Sequence, residues 1–112
     1  MYLDTAMIDN KCCKEKRVFV GSDVKFRVII TADGFSQDTD NWDVTITRGS
    51  TSHTYAKADC IQAIDGWYVA FNTADFGAGR YTATIAAYIP DTDFPDGTRK
   101  EVKRIEFLLV EP

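Results

Sequence analysis

Along residues 24–31 apolar and polar side chains alternate. Val24, Phe26, Val28 and Ile30 fall on one side, Lys25, Arg27 and Thr31 on the other, and Ile29 is the exception. A period of two over this length specifies a strand with one buried face. The same pattern returns in Trp42, Val44 and Ile46, set against Asp43, Thr45 and Thr47. Trp67, Val69 and Phe71 share a face, and so do Tyr81, Ala83, Ile85, Ala87 and Ile89. Residues 17–20 predict a short first strand and residues 53–57 a weaker one suited to a sheet edge, while residues 58–64 follow neither period. No stretch has the spacing of an amphipathic helix.

Between these runs lie turn formers: Gly21-Ser22-Asp23, Ala32-Asp33-Gly34, a polar loop over residues 36–41, Gly49-Ser50, and the tight-turn pair Asp65-Gly66. The last third, residues 79–110, predicts two long strands joined by the acidic loop Pro90-Asp91-Thr92-Asp93-Phe94-Pro95-Asp96-Gly97. In its second strand Ile105, Phe107 and Leu109 share a face. Val102 is out of phase with them, which predicts a bulge or twist near Lys103 and Arg104. About seven short strands with turn signals between them predict an all-β, immunoglobulin-like (Greek-key) sandwich over residues 17–112. Residues 1–16 show no sustained period and are read as an N-terminal arm, loosely ordered or held by a partner. The lead-in Asp75-Phe76-Gly77-Ala78-Gly79-Arg80-Tyr81 fits a tyrosine corner, a strand-start Tyr that hydrogen-bonds upstream backbone; the plainer reading of Tyr81 is a core aromatic.

Composition narrows the function classes. With 112 residues, 45% hydrophobic and 27% charged, the chain has room for one domain with its own core. A net charge of -4 does not supply the clustered basic face that nucleic acid needs. The one basic cluster, Lys11, Lys14, Lys16 and Arg17, is interrupted by Glu15. No apolar run is long enough to cross a bilayer, and the first nine residues lack a signal-peptide pattern. A cytoplasmic location is expected if Met1 is the native start. The three cysteines, adjacent Cys12 and Cys13 with Cys60 alone, form no disulfide framework, and with a single His53 they do not complete a zinc site.

Candidate chemistry is thin. Asp91, Asp93 and Asp96 before Gly97 supply the oxygens that calcium prefers. The EF-hand spacing is missed by one residue, the closing Glu is absent, and Pro, Asp and Gly are what any strand connection uses. The loop is read as structural, with calcium the alternative and no cofactor expected. Asp38, Asp40 and Asp43 form a second acidic cluster. No nucleophile has a signature base, so no enzyme is expected; a Cys60–His53 pair has nothing to support it. Tyr68 and Tyr88 sit out of phase with the cores of their strands. Leu108 and Val110 alternate with Ile105, Phe107 and Leu109, so the last strand reads as apolar on both faces. Tyr68, Tyr88, Leu108 and Val110 are therefore the candidate interface to other protein subunits, a homo-oligomer included; a second partial core is the competing reading for Leu108 and Val110.

Residues 16–110 resemble the small immunoglobulin-like domains of phage tail and baseplate proteins, of the baseplate-upper-protein N-terminal type. Gly21-Ser22-Asp23-Val24-Lys25-Phe26-Arg27-Val28, Asn41-Trp42-Asp43-Val44-Thr45-Ile46 and Gly79-Arg80-Tyr81-Thr82-Ala83-Thr84-Ile85 carry the resemblance. The 90–97 loop and the basic strand after it are similar to proteins of gut Bacteroidales and their prophages. The resemblance implies a non-enzymatic structural role in assembly, with a virion as the location and no catalytic residues to carry over. The alternative is a carbohydrate- or surface-binding sandwich of a gut bacterium.

Overall fold

The alternating runs become strands that close into two packed sheets. The computed structural model describes residues 2–4 and 16–112, with side chains from Arg17 onward. Its strands are β1 (Tyr2–Asp4), β2 (Lys16–Phe19), β3 (Asp23–Thr31), β4 (Asn41–Arg48), β5 (Thr51–Ala56), β6 (Ile61–Ala63), β7 (Gly66–Asn72), β8 (Gly79–Pro90) and β9 (Thr98–Glu111). One sheet has the order β1-β3-β7-β6, the other β2-β9-β8-β4-β5. The result is an all-β sandwich.

Nine strands are described rather than about seven. The additions are β1 and β6, three residues each, too short for a period of two to register. β1 falls in the segment expected as an arm and pairs antiparallel with Ile29–Thr31 of β3. Residues 5–15, with the rest of the expected arm and Cys12 and Cys13, lie outside the described residues. β6 pairs with β7 through the two-residue turn Ile64-Asp65, with Ala63 opposite Gly66. The turn thus sits one residue earlier than the Asp65-Gly66 pair suggested, and Gly66 opens β7 at φ +137.

The inward positions build one core. Phe26, Trp42, Ile46, Tyr81, Ile85, Phe107 and Leu108 are fully buried within it. Phe26 stacks on Phe107 with ring centroids 4.4 Å apart, joining the two sheets, and Trp42 meets Trp67 edge-on at 5.5 Å. The Trp42 indole N–H donates to the Gln37 carbonyl at 2.9 Å. The Gln37 side chain in turn accepts from Ile30 N–H and donates to Val28 O, continuing the hydrogen bonding of β3 where β7 ends. The polar 36–41 loop is therefore stitched to the sheet.

The expected bulge lies elsewhere. Register shifts between Tyr81, opposite Leu108, and Thr82, opposite Glu106, so Phe107 is the extra residue. Inserting one residue reverses which side chains face inward. Ile105, Phe107, Leu108 and Val110 all reach the core, while Leu109 turns outward and Val102 stays exposed.

At one pole the tyrosine corner forms. The Tyr81 hydroxyl donates to Gly77 O at 2.6 Å, with Thr73 O a second acceptor at 3.1 Å. Arg48 Nε donates to Phe76 O at 2.6 Å and lies over Gly79, where a Cβ would come within 2.9 Å of the Arg48 Cδ. With φ at +135, Gly79 is the residue that lets the chain pass beneath that arginine. The opposite pole carries the 32–40 and 91–97 loops.

Candidate functional site

The outward residues of β3, β6 and β7 form the face that holds Tyr68. Arg27 pairs with Tyr68 and Lys25 with Ala70 across β3 and β7, while Ile61 pairs with Tyr68 across β6 and β7. Lys25 Nζ stands 4.7 Å from the Tyr68 ring centroid, a cation–π contact. The Tyr68 hydroxyl donates to Asp65 Oδ2 at 2.7 Å. That bond holds the Asp65 carboxyl below its usual range and raises the phenol above its own, so the pair stays phenol and carboxylate at neutral pH. Ile61 and Ala70 are exposed, and Ile64, at the tip of the β6–β7 turn, is fully so. Gly66 brings the chain close to Arg27: a Cβ there would stand 3.3 Å from Nε. That Nε is buried without a hydrogen-bond partner. A basic and apolar surface around one anchored tyrosine results.

Tyr88 lies on the outer face of the other sheet. Its hydroxyl donates to Asp43 Oδ2 at 3.1 Å, and Lys100 Nζ is 5.8 Å from its ring centroid. Burial first, and then the Asp43 bond, raise its pKa. The two tyrosines therefore occupy opposite faces and do not form one platform. Leu108 and Val110 correct the expected interface: they are 0% and 2% exposed, turned into the core by the bulge at Phe107. They offer no surface to a partner; the competing reading, that they pack inside, is the one that holds.

The carboxylates of the 91–97 loop are tied into its own turn. Asp91 Oδ1 accepts from Asp93 N–H at 3.0 Å and Oδ2 from Arg99 Nη1 at 2.7 Å, while Asp96 Oδ1 accepts from Thr98 N–H at 3.2 Å. Those two hydrogen bonds to Asp91, that from Asp93 N–H first, hold its carboxyl below the usual range. The second acidic cluster is also dispersed. Asp38 Oδ1 accepts from the Trp67 indole, Asp40 Oδ2 from Ser36 N–H, and Asp43 Oδ2 from Tyr88. Among the described residues no group of three or more His, Cys, Asp or Glu side chains is placed to hold a metal ion, so Asp91, Asp93 and Asp96 do not converge as a calcium loop.

His53 packs edge-on against Phe76 at 4.9 Å, and the Cys60 thiol donates to Ala56 O at 3.4 Å. Burial, and then Asp59, push that thiol up to about 11, which keeps it protonated and a poor nucleophile. The two side chains are engaged separately. A shallow groove, bordered by Asn41, Lys57, Ala58, Cys60, Gln62 and Trp67, opens at the loop-bearing pole. Sequence reasoning placed Lys25 and Arg27 outward but missed Ile61 and Ile64, because β6 gave no periodic signal. The one hint was Ile29, an apolar residue on the outward side of β3. Comparison with protein-family models, with curated proteins and with solved structures returns no match.

Proposed function

We propose that this chain is an immunoglobulin-like structural and protein-interaction module without catalytic activity, of the kind built into phage or prophage tails and baseplates. The strand order supports the immunoglobulin-like assignment. One sheet follows an A-B-E-D pattern, the other G-F-C with an added strand beside C, and the chain enters the second sheet through β2 running parallel to β9. The Tyr81 corner and the buried Trp42 on the strand equivalent to C agree with it. The cysteine pair of antibody domains is absent from these strands. Phe26 stacked on Phe107 supplies an inter-sheet contact by packing alone.

The observation that carries an interaction role is the outer face around Tyr68, where Lys25, Arg27 and Ile61 neighbour a ring fixed by Asp65. Anchored aromatics flanked by Arg and aliphatic residues are what protein interfaces concentrate. No helix among the described residues is long and apolar enough to cross a membrane, and a virion component is the location this reading favours. The test is mass spectrometry of purified tail particles from the source host. The chain is expected in them, and Tyr68→Ala with Lys25→Glu is expected to reduce its incorporation while leaving the fold intact by circular dichroism. Absence of the wild-type chain from such particles overturns the reading.

A second reading, a carbohydrate- or surface-binding sandwich, is favoured by the Trp67 groove, whose half-buried indole is flanked by the amides of Asn41 and Gln62. Glycan-array binding lost on Gln62→Ala and retained by Tyr68→Ala and Tyr88→Ala would support this groove.

A further inference from the structure

Carboxylates gather at the loop-bearing pole of the sandwich, and two cations stand on the face around Tyr68. At the loop-bearing pole stand Asp33, Asp38, Asp40, Asp91, Asp93 and Asp96, and the Asp40 and Asp96 loops border one groove with Tyr88. Of the cations there, Arg99 is bound to Asp91, Glu101 and the Asp33 carbonyl, Lys57 donates to the Asp38 and Asp40 carbonyls, and Lys100 stands beside the Tyr88 ring. Asp93 and Asp96 are exposed beside Phe94, itself 44% exposed in the loop of the β8–β9 hairpin. The face around Tyr68 offers a partial converse: Lys25 and Arg27 beside the Asp65 carboxylate, with the exposed aliphatic side chains of Ile61 and Ile64.

We infer that copies of this chain associate head to side, the hairpin tip of one copy seating on the Tyr68 face of the next. Phe94 enters beside Ile61 and Ile64, and Asp93 and Asp96 meet Lys25 and Arg27. The two surfaces are distinct patches of one molecule. Asp33, by the tip, lies six residues along the chain from Arg27, a span of about 20 Å in extended backbone. A tip that does not reach its own face meets that of another copy, either reciprocally in a two-fold pair or head to tail in a ring or a fibre. An exposed aromatic between two carboxylates is an anchor with its own steering charge.

The inference rests on the reading of the chain as an interaction module, and the experiment separates the two. Sedimentation velocity of the wild-type chain over a concentration series is expected to show mass rising with concentration in low salt and falling toward the monomer in about 0.5 M NaCl, where charge pairing is screened. Lys25→Glu with Arg27→Glu, and separately Asp93→Lys with Asp96→Lys, are each expected to weaken association by at least about tenfold. An equimolar mixture of the two charge-reversed proteins is expected to associate again, since each then presents the sign the other needs. Phe94→Ala weakens association without changing its salt dependence. Unchanged thermal melts confirm that the variants fold. A wild-type chain that remains monomeric in low salt, association indifferent to both reversals, or a mixture that stays monomeric overturns the head-to-side contact. A monomeric chain that is nonetheless built into tail particles overturns this contact alone, whereas self-association without incorporation overturns the tail assignment alone.

Discussion

Thr73 is the fully buried polar side chain among the described residues, and its hydroxyl ties the 19–22 turn to the end of β7. It accepts from Gly21 N–H at 2.9 Å and Ser22 N–H at 3.0 Å and donates to Phe19 O at 3.1 Å. Those partners are 52, 51 and 54 residues away, so nothing near Thr73 in the chain announces them. Thr73→Val keeps the shape and removes the bonds, leaving the Gly21 N–H without a partner and the Ser22 N–H and Phe19 carbonyl with only their bond to each other at 3.2 Å. A loss of about 2–3 kcal/mol in urea unfolding is expected, with most of it recovered by Thr73→Ser. Cys60 makes a second residue-scale prediction. Its folded pKa, about 11, lies above the ordinary 9.0. The stability linked to that shift is fully present below the unfolded value and is lost as pH rises through the folded one. With Cys12 and Cys13 changed to Ser, the folded chain is expected to react with a disulfide reagent at mildly alkaline pH roughly a hundredfold more slowly than the urea-unfolded chain.

At the scale of elements, β2 and β5 appear within two residues of their expected bounds, and so do β3, β4, β7 and β8, where the alternation is longest. The buried faces of these last four are the expected ones because each covers a whole sheet face without interruption. β9 was legible as a strand and misread as a surface. One bulged residue, Phe107, inverts everything after it, and a bulge is fixed by pairing with Tyr81 and Thr82 rather than by local composition. Tyr68 was found because a tyrosine out of phase stands out in a strand. Its neighbours Ile61 and Ile64 were not, because three residues of strand leave no period. The 91–97 loop was legible as a turn, yet its dependence on Arg99 was not. That dependence has a sign. Asp91 has a folded pKa below the ordinary one, so its contribution is present above the usual carboxylate range and is lost as pH falls through the lower, folded value. Asp91→Asn is expected to melt earlier than wild type at neutral pH, and the gap between the two is expected to close as thermal scans move into strong acid. A gap independent of pH would show that the carboxylate charge is not what holds the turn.

At the scale of the whole molecule, the first strands are divided between the sheets: β1 pairs with β3 in one, and β2 pairs with β9 in the other. The pairing of β2 with β9 is parallel, Lys16 opposite Leu108 through to Phe19 opposite Glu111. Consider tension applied through the segments that precede Lys16 and follow Glu111. Neighbouring parallel strands are then drawn past one another lengthwise, so their hydrogen bonds are strained together in shear rather than opened one after another. Forced rupture follows the unfolding barrier rather than the equilibrium stability, and shear raises that barrier. In an optical-tweezers experiment Val18→Pro, which removes a donor from β2, is expected to lower the rupture force, while a charge reversal on the Tyr68 face leaves it unchanged. Equal rupture forces for Val18→Pro and wild type would sink the idea. Wired this way, the β2–β9 ladder is expected to resist a pull from both ends as one unit.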